Sequence, residues 1–596
     1  MELLAPDPGK DISIELSISC RNLIKMDTFT DSDPIVFVYT RDISSSRFVL
    51  VGHTEVIDND NNPKFSTLIR IPYLFEQSQP LRFVVYDVDD KKDLFNFKKQ
   101  DFLGQIDTDL ASIVASPAGV FKKILNGPQG PSQLADKKGR KYGEISIIPE
   151  QHKSCGLFWK FSSSVDTPNL KMVFGRPNVF LRFARSTEVG WSYVYKTKNK
   201  VPDKKGRVFF DHEELKGSIL CGGDVERPIK VELVEDRPKK SALILYEVQF
   251  SLSAIAAGKT NFDMRIRDDV KKTARGKKNE VHLMFDKCLV FRKPTFVDYI
   301  RGGMQIDLHI AIDYTASNKH PSDPSSLHAG GIHSPYGRAI HAVGQVLAPY
   351  SHTGYIDTIG FGARLPSNPS AVSHCFPVSL RDGATALHGI PHVMQAYVDS
   401  LSLVSLSGPT LFSPLLRRIN AQVKSRPYTD GKRYSIVLIL TDGIIADCDA
   451  TIDQIIDSSA LPVSIIICGI GQADFSAMDM LDADDAPLQL GDKRQQRDNV
   501  QFVPFHKYER TPHLLAREVL EEVPTQVTQF MAKHNITPRP PVSATPTTAH
   551  PAATVHPAAT VHPMPGQPIQ PSMGPQSGTI PPSSTVVPDH DDDPYV

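Results

Sequence analysis

The chain has 596 residues, with 66 Lys and Arg against 67 Asp and Glu, a formal net charge of −1. At roughly 100–200 residues per domain, this length predicts about three to five folded units. Hydrophobic residues at 40% and charged residues at 22% are ordinary for a globular chain. The balance excludes a uniformly basic nucleic-acid binder and a uniformly acidic disordered protein, although local patches of opposite sign cancel in such a sum.

Residues 1–150 read as β structure. Ile12–Ile18 alternates apolar and polar residues strictly, the period of a half-buried strand. Pro34–Tyr39 and Leu81–Tyr86 are further strands, and Lys141–Ile148 resumes the alternation as a closing strand. Short strands divided by polar turns predict a β-sandwich. The aspartates of this segment are grouped: Asp27 and Asp33 flank one loop, Asp87 and Asp89 open a second, and Asp101 ends it. Both loops follow strands, so one end of a sandwich can hold them together. Five carboxylates gathered there repel one another unless a hard cation neutralises them, and Ca2+, with six to eight oxygen ligands in flexible geometry, suits the set. Taken singly, each is also an ordinary turn aspartate; the two paired loops favour the ion.

Between Asp89 and Asp101 the second loop carries Phe95 and Phe97 among Lys91, Lys92, Lys98 and Lys99. At a loop tip, Phe95 and Phe97 would enter a membrane interface while Lys98 and Lys99 met anionic headgroups. The equal alternative is that the phenylalanines fold back as a minor core.

Met26-Asp27, Ser32-Asp33-Pro34, Tyr86-Asp87-Val88-Asp89 and Asp101-Phe102-Leu103-Gly104 together resemble the calcium-site pattern of the C2 domain, a calcium- and phospholipid-binding β-sandwich. All five aspartate positions are filled. Asn62-Pro63-Lys64-Phe65 also matches the Asn-Pro-x-aromatic turn of that family.

Residues 151–297 form a second β-rich stretch, with strand candidates at Val179–Ala184, Ile229–Val234, Leu243–Phe250 and Val281–Phe285. The C2 resemblance is weaker here. Met172 and Asn178 stand at the first two ligand positions, the other loop reads Glu235-Asp236-Arg237, and Leu243 replaces the last aspartate. A thioether, an amide and a guanidinium do not replace carboxylates around calcium, so this unit is expected to keep the fold and lose the ion. Lys196, Lys198, Lys200, Lys204, Lys205 and Arg207 form one basic segment, and Lys271, Lys272, Arg275, Lys277 and Lys278 another. They suit either a solvated hairpin or calcium-independent contact with anionic lipid, worth about 1 kcal/mol per basic residue near the surface.

Residues 298–530 change period. Met304–Ile312, Tyr434–Leu440 and Val463–Cys468 are continuous apolar strands, alternating with helical stretches at Pro335–Pro349, Leu387–Leu401, Leu415–Val423 and Ala450–Ser459. This pattern predicts a doubly wound α/β domain with a buried, mainly parallel sheet. One strand runs into Asp313-Tyr314-Thr315-Ala316-Ser317 and another into Thr441-Asp442-Gly443, at the carboxyl ends where open sheets gather ligands. Asp313, Thr315, Ser317, Thr410 and Asp442 make a hard oxygen set for Mg2+ or Mn2+. With so few carboxylates, one position is left for a partner's acidic side chain. The set resembles the metal-ion-dependent adhesion site of the von Willebrand factor A domain. Thr410 is preferred over Thr385 as its third element because it lies one helix and one strand before Asp442.

Two C2 domains followed by an A-like domain resemble the layout of the copine family. Further motifs carry that resemblance: Phe296–Gly303, Ala311–Asn318, Gly360–Ala363, Gly408–Pro414, Leu461–Ile467, Asp474–Met478 and Gln501–Phe505. It covers roughly residues 10–525. It implies a calcium-dependent, phospholipid-binding peripheral membrane adapter, cytoplasmic and moving to the inner face of the plasma membrane or other membranes as calcium rises. Protein partners would be captured through the A-like domain in trafficking or signalling. The alternatives are a calcium-independent scaffold and an enzyme using the A-domain metal. Against the enzyme, the sequence holds no P-loop, HExxH, GxSxG or kinase signature set.

Three features complete the reading. The seven cysteines are scattered without a CxxC pair, which suggests neither a zinc site nor a disulfide framework and fits a reducing compartment. The opening Met-Glu-Leu-Leu has no basic n-region, and Glu2 stands where myristoylation requires a glycine. The apolar runs fall well short of the roughly 20 residues a bilayer requires. Finally, 47 prolines are about 8% of the chain against a usual value near 5%. Fifteen fall within the last 60 residues. Residues 531–596 are accordingly expected to be a disordered, proline-rich tail. Within it Pro538-Arg539-Pro540-Pro541 offers a possible ligand for a Pro-motif-binding partner, although an inert tail is the commoner case.

Overall fold

The computed structural model describes residues 12–26, 31–41, 47–151, 156–167, 177–187, 190–237, 242–266, 281–351, 353–443, 445–482, 486–509 and 511–540, the side chains of 118, 512 and 513 excepted. Asp27, Met172, the second lysine-rich segment and the tail from 541 therefore lie outside the described residues.

The first domain is a sandwich of two four-stranded antiparallel sheets. One runs Ile69–Pro72, Ser13–Arg21, Glu144–Gln151, Phe121–Ile124; the other runs Phe48–His53, Pro34–Arg41, Pro80–Asp87, Asp101–Asp109. The alternation in Ser13–Arg21 has its expected cause: Ile14, Leu16, Ile18 and Cys20 all point into the core.

In the second domain eight strands form one continuous antiparallel path. The link between its halves is narrow, with Leu243–Phe250 pairing Asn261–Ile266 at only Tyr246 and Glu247. Its core is aromatic, centred on Trp159, Phe161, Phe183 and Phe285. The C2-type β fold expected of this unit is thus present.

The third domain carries a parallel sheet in the order Tyr355–Phe361, Gln305–Asp313, Arg433–Thr441, Val463–Gly469, Val500–Pro504. Arg433–Thr441 and Val463–Gly469 are buried along almost their whole length, because helices cover both faces. These include Pro335–Leu347, Gly389–Leu401, Ser413–Lys424 and Cys448–Ser458. The helix Phe296–Arg301 opens the domain, closed at its start by a capping box between Thr295 and Asp298, and straddles the expected boundary at 298. Among the described residues no helix is long and apolar enough to cross a membrane. The six described cysteines are free thiols.

The first and third domains share a core. Phe75 lies 4.6 Å from Phe296 and 4.9 Å from Tyr350 between ring centroids, and the Tyr73 and Tyr350 hydroxyls are 2.5 Å apart. All four side chains are buried.

Candidate metal and membrane sites

The two acidic loops of the first domain meet because the strands that feed them are neighbours. Pro34 pairs with Asp87 across the sheet. The Asp33 amide donates to Asp87 Oδ1 at 2.6 Å, and the Val88 amide donates to the Asp33 carbonyl at 3.0 Å. Asp87 is 3% exposed, and Asp33, Asp87 and Asp89 line one open cleft of about 740 Å3 with Asn59 and Lys91. Asp101 stands opposite Asp87 in the ladder, solvent-exposed and outside that lining.

One cation already sits against these carboxylates. Lys91 Nζ lies 2.9 Å from Asp33 Oδ2 and 2.7 Å from Asp58 Oδ1. Burial works against ionisation of Asp33, but the hydrogen bonds from Lys91 and from the Asn59 amide outweigh it and lower its pKa. The cleft therefore accepts positive charge with oxygen donors only, which fits a hard cation. Asp58 and Lys91 had no place in the sequence-derived ligand set, because their meeting depends on two loops far apart in the chain.

The loop insert is held by Gln100, which is 6% exposed. Its Oε1 accepts from the amides of Asp89 (2.9 Å) and Asp90 (3.2 Å), while its Nε2 donates to the carbonyls of Asp90 (3.2 Å) and Asp93 (3.0 Å). The two phenylalanines then divide. Phe97 stacks on Tyr86 at 5.0 Å and meets Phe37 edge-on at 5.2 Å. Phe95 touches Phe37 and His53 yet remains 56% exposed. Lys98 is exposed, and Lys99 pairs with Asp90 at 2.9 Å.

In the third domain the carboxyl ends of two adjacent strands bring Asp313 and Asp442 together. Asp313 is fully buried. Its Oδ1 accepts from the Thr315 amide (2.7 Å) and hydroxyl (2.6 Å), and its Oδ2 accepts from Thr441 Oγ1 (2.7 Å). Asp442 Oδ1 accepts from Ser317 Oγ at 2.9 Å, and the Thr315 and Ser317 hydroxyls are 3.0 Å apart. Burial raises the Asp313 pKa; burial and then repulsion from Asp313 push Asp442 up to about 7. Two buried carboxylates held by hydroxyls and backbone amides are short of positive charge, and that donor set fits Mg2+ or Mn2+. Among the described residues no three His, Cys, Asp or Glu side chains gather in the manner of a metal site, at the acidic loops or here, where the set has only two carboxylates.

The segment that leads to Thr410 is tied to the Asp313 loop through backbone at Ser407. The Ala316 amide donates to the Ser407 carbonyl at 2.5 Å, stitching the 407–412 segment to the Asp313 loop. Thr410 is 8% exposed, and its carbonyl accepts from the Ala446 amide at 2.9 Å. The rejected Thr385 is placed elsewhere, its hydroxyl 3.3 Å from Arg418 Nη2 beside Asp357.

Comparisons with known proteins match the regions that carry both sites. A copine model matches residues 326–539, and a C2-domain model matches residues 15–123. Copine-A of Dictyostelium discoideum is 37% identical over 533 residues, covering 88% of this chain and 85% of that protein. Nicotinic receptor-associated protein 1 of Caenorhabditis elegans is 33% identical over 574 residues, covering 89% of each. The chain belongs to the copine family.

This copine has features around its A-like site that sequence reading missed. Thr441 was placed in the motif at the strand's end but outside the ligand set, yet its hydroxyl holds Asp313. His328 is buried between Tyr314 and Tyr336; its Nε2 lies 3.1 Å from the Asp313 carbonyl and its Nδ1 2.8 Å from the Tyr397 hydroxyl. Burial lowers its pKa to about 4, so it is neutral at physiological pH. Two further histidines lie elsewhere in the domain: His309 is buried against Asp357, and His388 sits in the edge strand Ala386–His388. In the second domain of the copine, Asn178 opens a strand opposite Asp236, whose carboxylate accepts from Asn199 at 2.6 Å.

Proposed function

We propose that the first domain is a calcium-dependent membrane switch and that the third domain carries a protein partner to the surface it reaches. This refines the family-level assignment of a copine with a C2 domain to calcium- and phospholipid-binding adapters that associate with membranes. The supporting observation is the single cleft lined by Asp33, Asp87 and Asp89, with the Lys91 ammonium against Asp33.

Asp33, Asp87 and Asp89 would hold calcium, with Asp101 beside Asp87 and Asp27 contributed from outside the described residues. Bound calcium supplies the positive charge that lets lipid phosphate approach. Before that, the aspartates repel an anionic bilayer. Phe95 presents apolar area to the interface and Lys98 a cation to the headgroups, while Phe97 braces the loop from beneath. Asp313, Thr315, Ser317, Thr410 and Asp442 would hold Mg2+ or Mn2+ and leave a position for a partner's carboxylate. The name of the C. elegans relative ties that protein to a nicotinic receptor, which supports protein capture as the kind of task performed here. Movement from the cytoplasm to the inner face of a membrane follows from this reading.

Sedimentation with phosphatidylserine vesicles, with and without calcium, tests the switch using wild type and Asp87→Asn/Asp89→Asn. The expected result is calcium-dependent sedimentation lost in the double variant. Equal, calcium-independent sedimentation of both proteins would remove the proposal and favour a constitutive scaffold.

A further inference from the structure

All three domains border a cavity of about 940 Å3 that is far from a simple packing defect in size. Well-formed small-molecule sites measure roughly 300–1,000 Å3 and combine apolar walls with a few convergent polar groups. Here Tyr73 and Phe75 come from the first domain, Leu157 and Phe158 from the second, and Phe296 and Ile536 from the third.

The charged lining is unequal. Arg70, Arg185, Lys216 and Lys293 line the cavity against Glu76 and Glu521. Two of the four cations are satisfied: Arg70 pairs with Glu15 at 2.8 Å, and Lys293 pairs with Glu214. Both glutamates of the lining have interactions of their own. Among the described residues the Arg185 side chain donates to the Ser218 carbonyl alone, at 3.3 Å, and neither Arg185 nor Lys216 has a carboxylate partner. They lie together, since Lys216 caps the short helix Gly217–Cys221 that contains Ser218. Each is half-buried, so neither enjoys the full hydration of a surface cation.

A chamber that joins aromatic and aliphatic surface to polar groups, with two cations that lack a carboxylate partner in its lining, is complementary to an anionic amphiphile. We propose that this junction binds a single-chain lipid phosphate, its phosphate on Arg185 and Lys216 and its acyl chain against the aromatic walls. A planar guanidinium beside a flexible ammonium suits a phosphate monoester, which accepts from both. The site lies apart from the acidic loops and from Asp313, so its occupation needs neither calcium nor magnesium. Because the ligand touches every domain, it stabilises their present arrangement over any other.

Isothermal titration of the full chain with lysophosphatidic acid, below its micellar concentration and in EDTA, tests the assignment. Saturable one-to-one binding is expected, weakened at least tenfold in Arg185→Gln/Lys216→Gln. Ala532→Phe, which adds bulk to the lining from the third domain, is expected to weaken binding with all charges retained. Lysophosphatidylcholine and inorganic phosphate are the comparison ligands, and each is expected to bind at least tenfold more weakly. Equal affinity for lysophosphatidylcholine would overturn the role of the two cations, and equal affinity for inorganic phosphate that of the apolar walls. Undiminished binding in both variants, or none in the wild type, would overturn the site itself. Thermal unfolding of each variant, unchanged without ligand, separates lost binding from lost fold.

Discussion

At the scale of single residues, the proposed calcium site would make Lys91 both a substitute for the ion and a competitor with it. Its ammonium bridges Asp33 and Asp58, so calcium binding at Asp33 must displace it. Lys91→Gln removes the competitor while leaving every carboxylate in place. The calcium concentration for half-maximal vesicle sedimentation is expected to fall several-fold; a rise would mean that Lys91 aids binding instead. Glu55 offers a different test, of stability rather than binding. Its carboxylate accepts from the Ser66 amide (2.5 Å), the Ser66 hydroxyl (2.7 Å) and the Thr67 amide (3.1 Å). Burial opposes ionisation, but these bonds prevail and lower its pKa from 4.5 to about 2. A depressed carboxylate contributes stability above its unfolded pKa and loses it as pH falls through the folded value. Urea unfolding should therefore show Glu55→Gln less stable than wild type at pH 7, with the gap closing between about pH 4.5 and 2. A gap constant across that window would assign the loss to packing.

Elements were legible in the sequence where burial was apolar and obscured where it was polar. Arg433–Thr441 and Val463–Gly469 announce themselves as unbroken apolar runs, and the Asp313 motif follows from where its strand ends. The neighbouring strand Tyr355–Phe361 did not stand out, because Asp357 and Thr358 interrupt its apolar pattern. Both are nonetheless accommodated in the fold: Asp357 takes Arg418 at 2.7 Å and His309 at 3.0 Å, and the Thr358 amide donates to the Thr385 carbonyl. A buried ion pair is invisible to periodicity because its partners come from other elements. The start of the helix Ser413–Lys424 shows the same limit. Phe412 at its N-cap provides no side-chain bond; instead Asp447, distant in sequence, accepts from the amides of Phe412 (3.1 Å) and Ser413 (2.9 Å). Asp447→Ala is expected to cost about 1 kcal/mol, the usual worth of such a cap, read as a lower urea midpoint at constant slope. Because the same loop carries Thr410, Mn2+ affinity measured by titration calorimetry should fall as well. A lower midpoint with unchanged Mn2+ affinity would remove Thr410 from the ligand set.

For the whole molecule, the separate units that composition and period suggest are not energetically separate. Sequence reading divides the chain because each domain has its own pattern, and nothing in a linear pattern reveals that Tyr73 and Phe75 face Phe296 and Tyr350. Yet those four buried side chains make the cores of the first and third domains continuous. Contacts between domains of one chain are commonly loose and polar, so that domains melt independently; a shared aromatic core instead couples their unfolding. Calorimetry of the wild type should then show the first and third domains melting in one transition. Replacing a buried phenylalanine by alanine costs about 3–5 kcal/mol, and at Phe75 part of that loss falls on the contact between domains. Phe75→Ala is therefore expected to split the transition in two, with the first domain melting at the lower temperature. Tyr73→Phe keeps the ring and removes only the hydroxyl bond, so it should lower the shared melting temperature without splitting it. If wild type already melts in two steps, the interface is weaker than its burial implies, and the calcium switch and the metal site of the third domain then sit on units free to move independently.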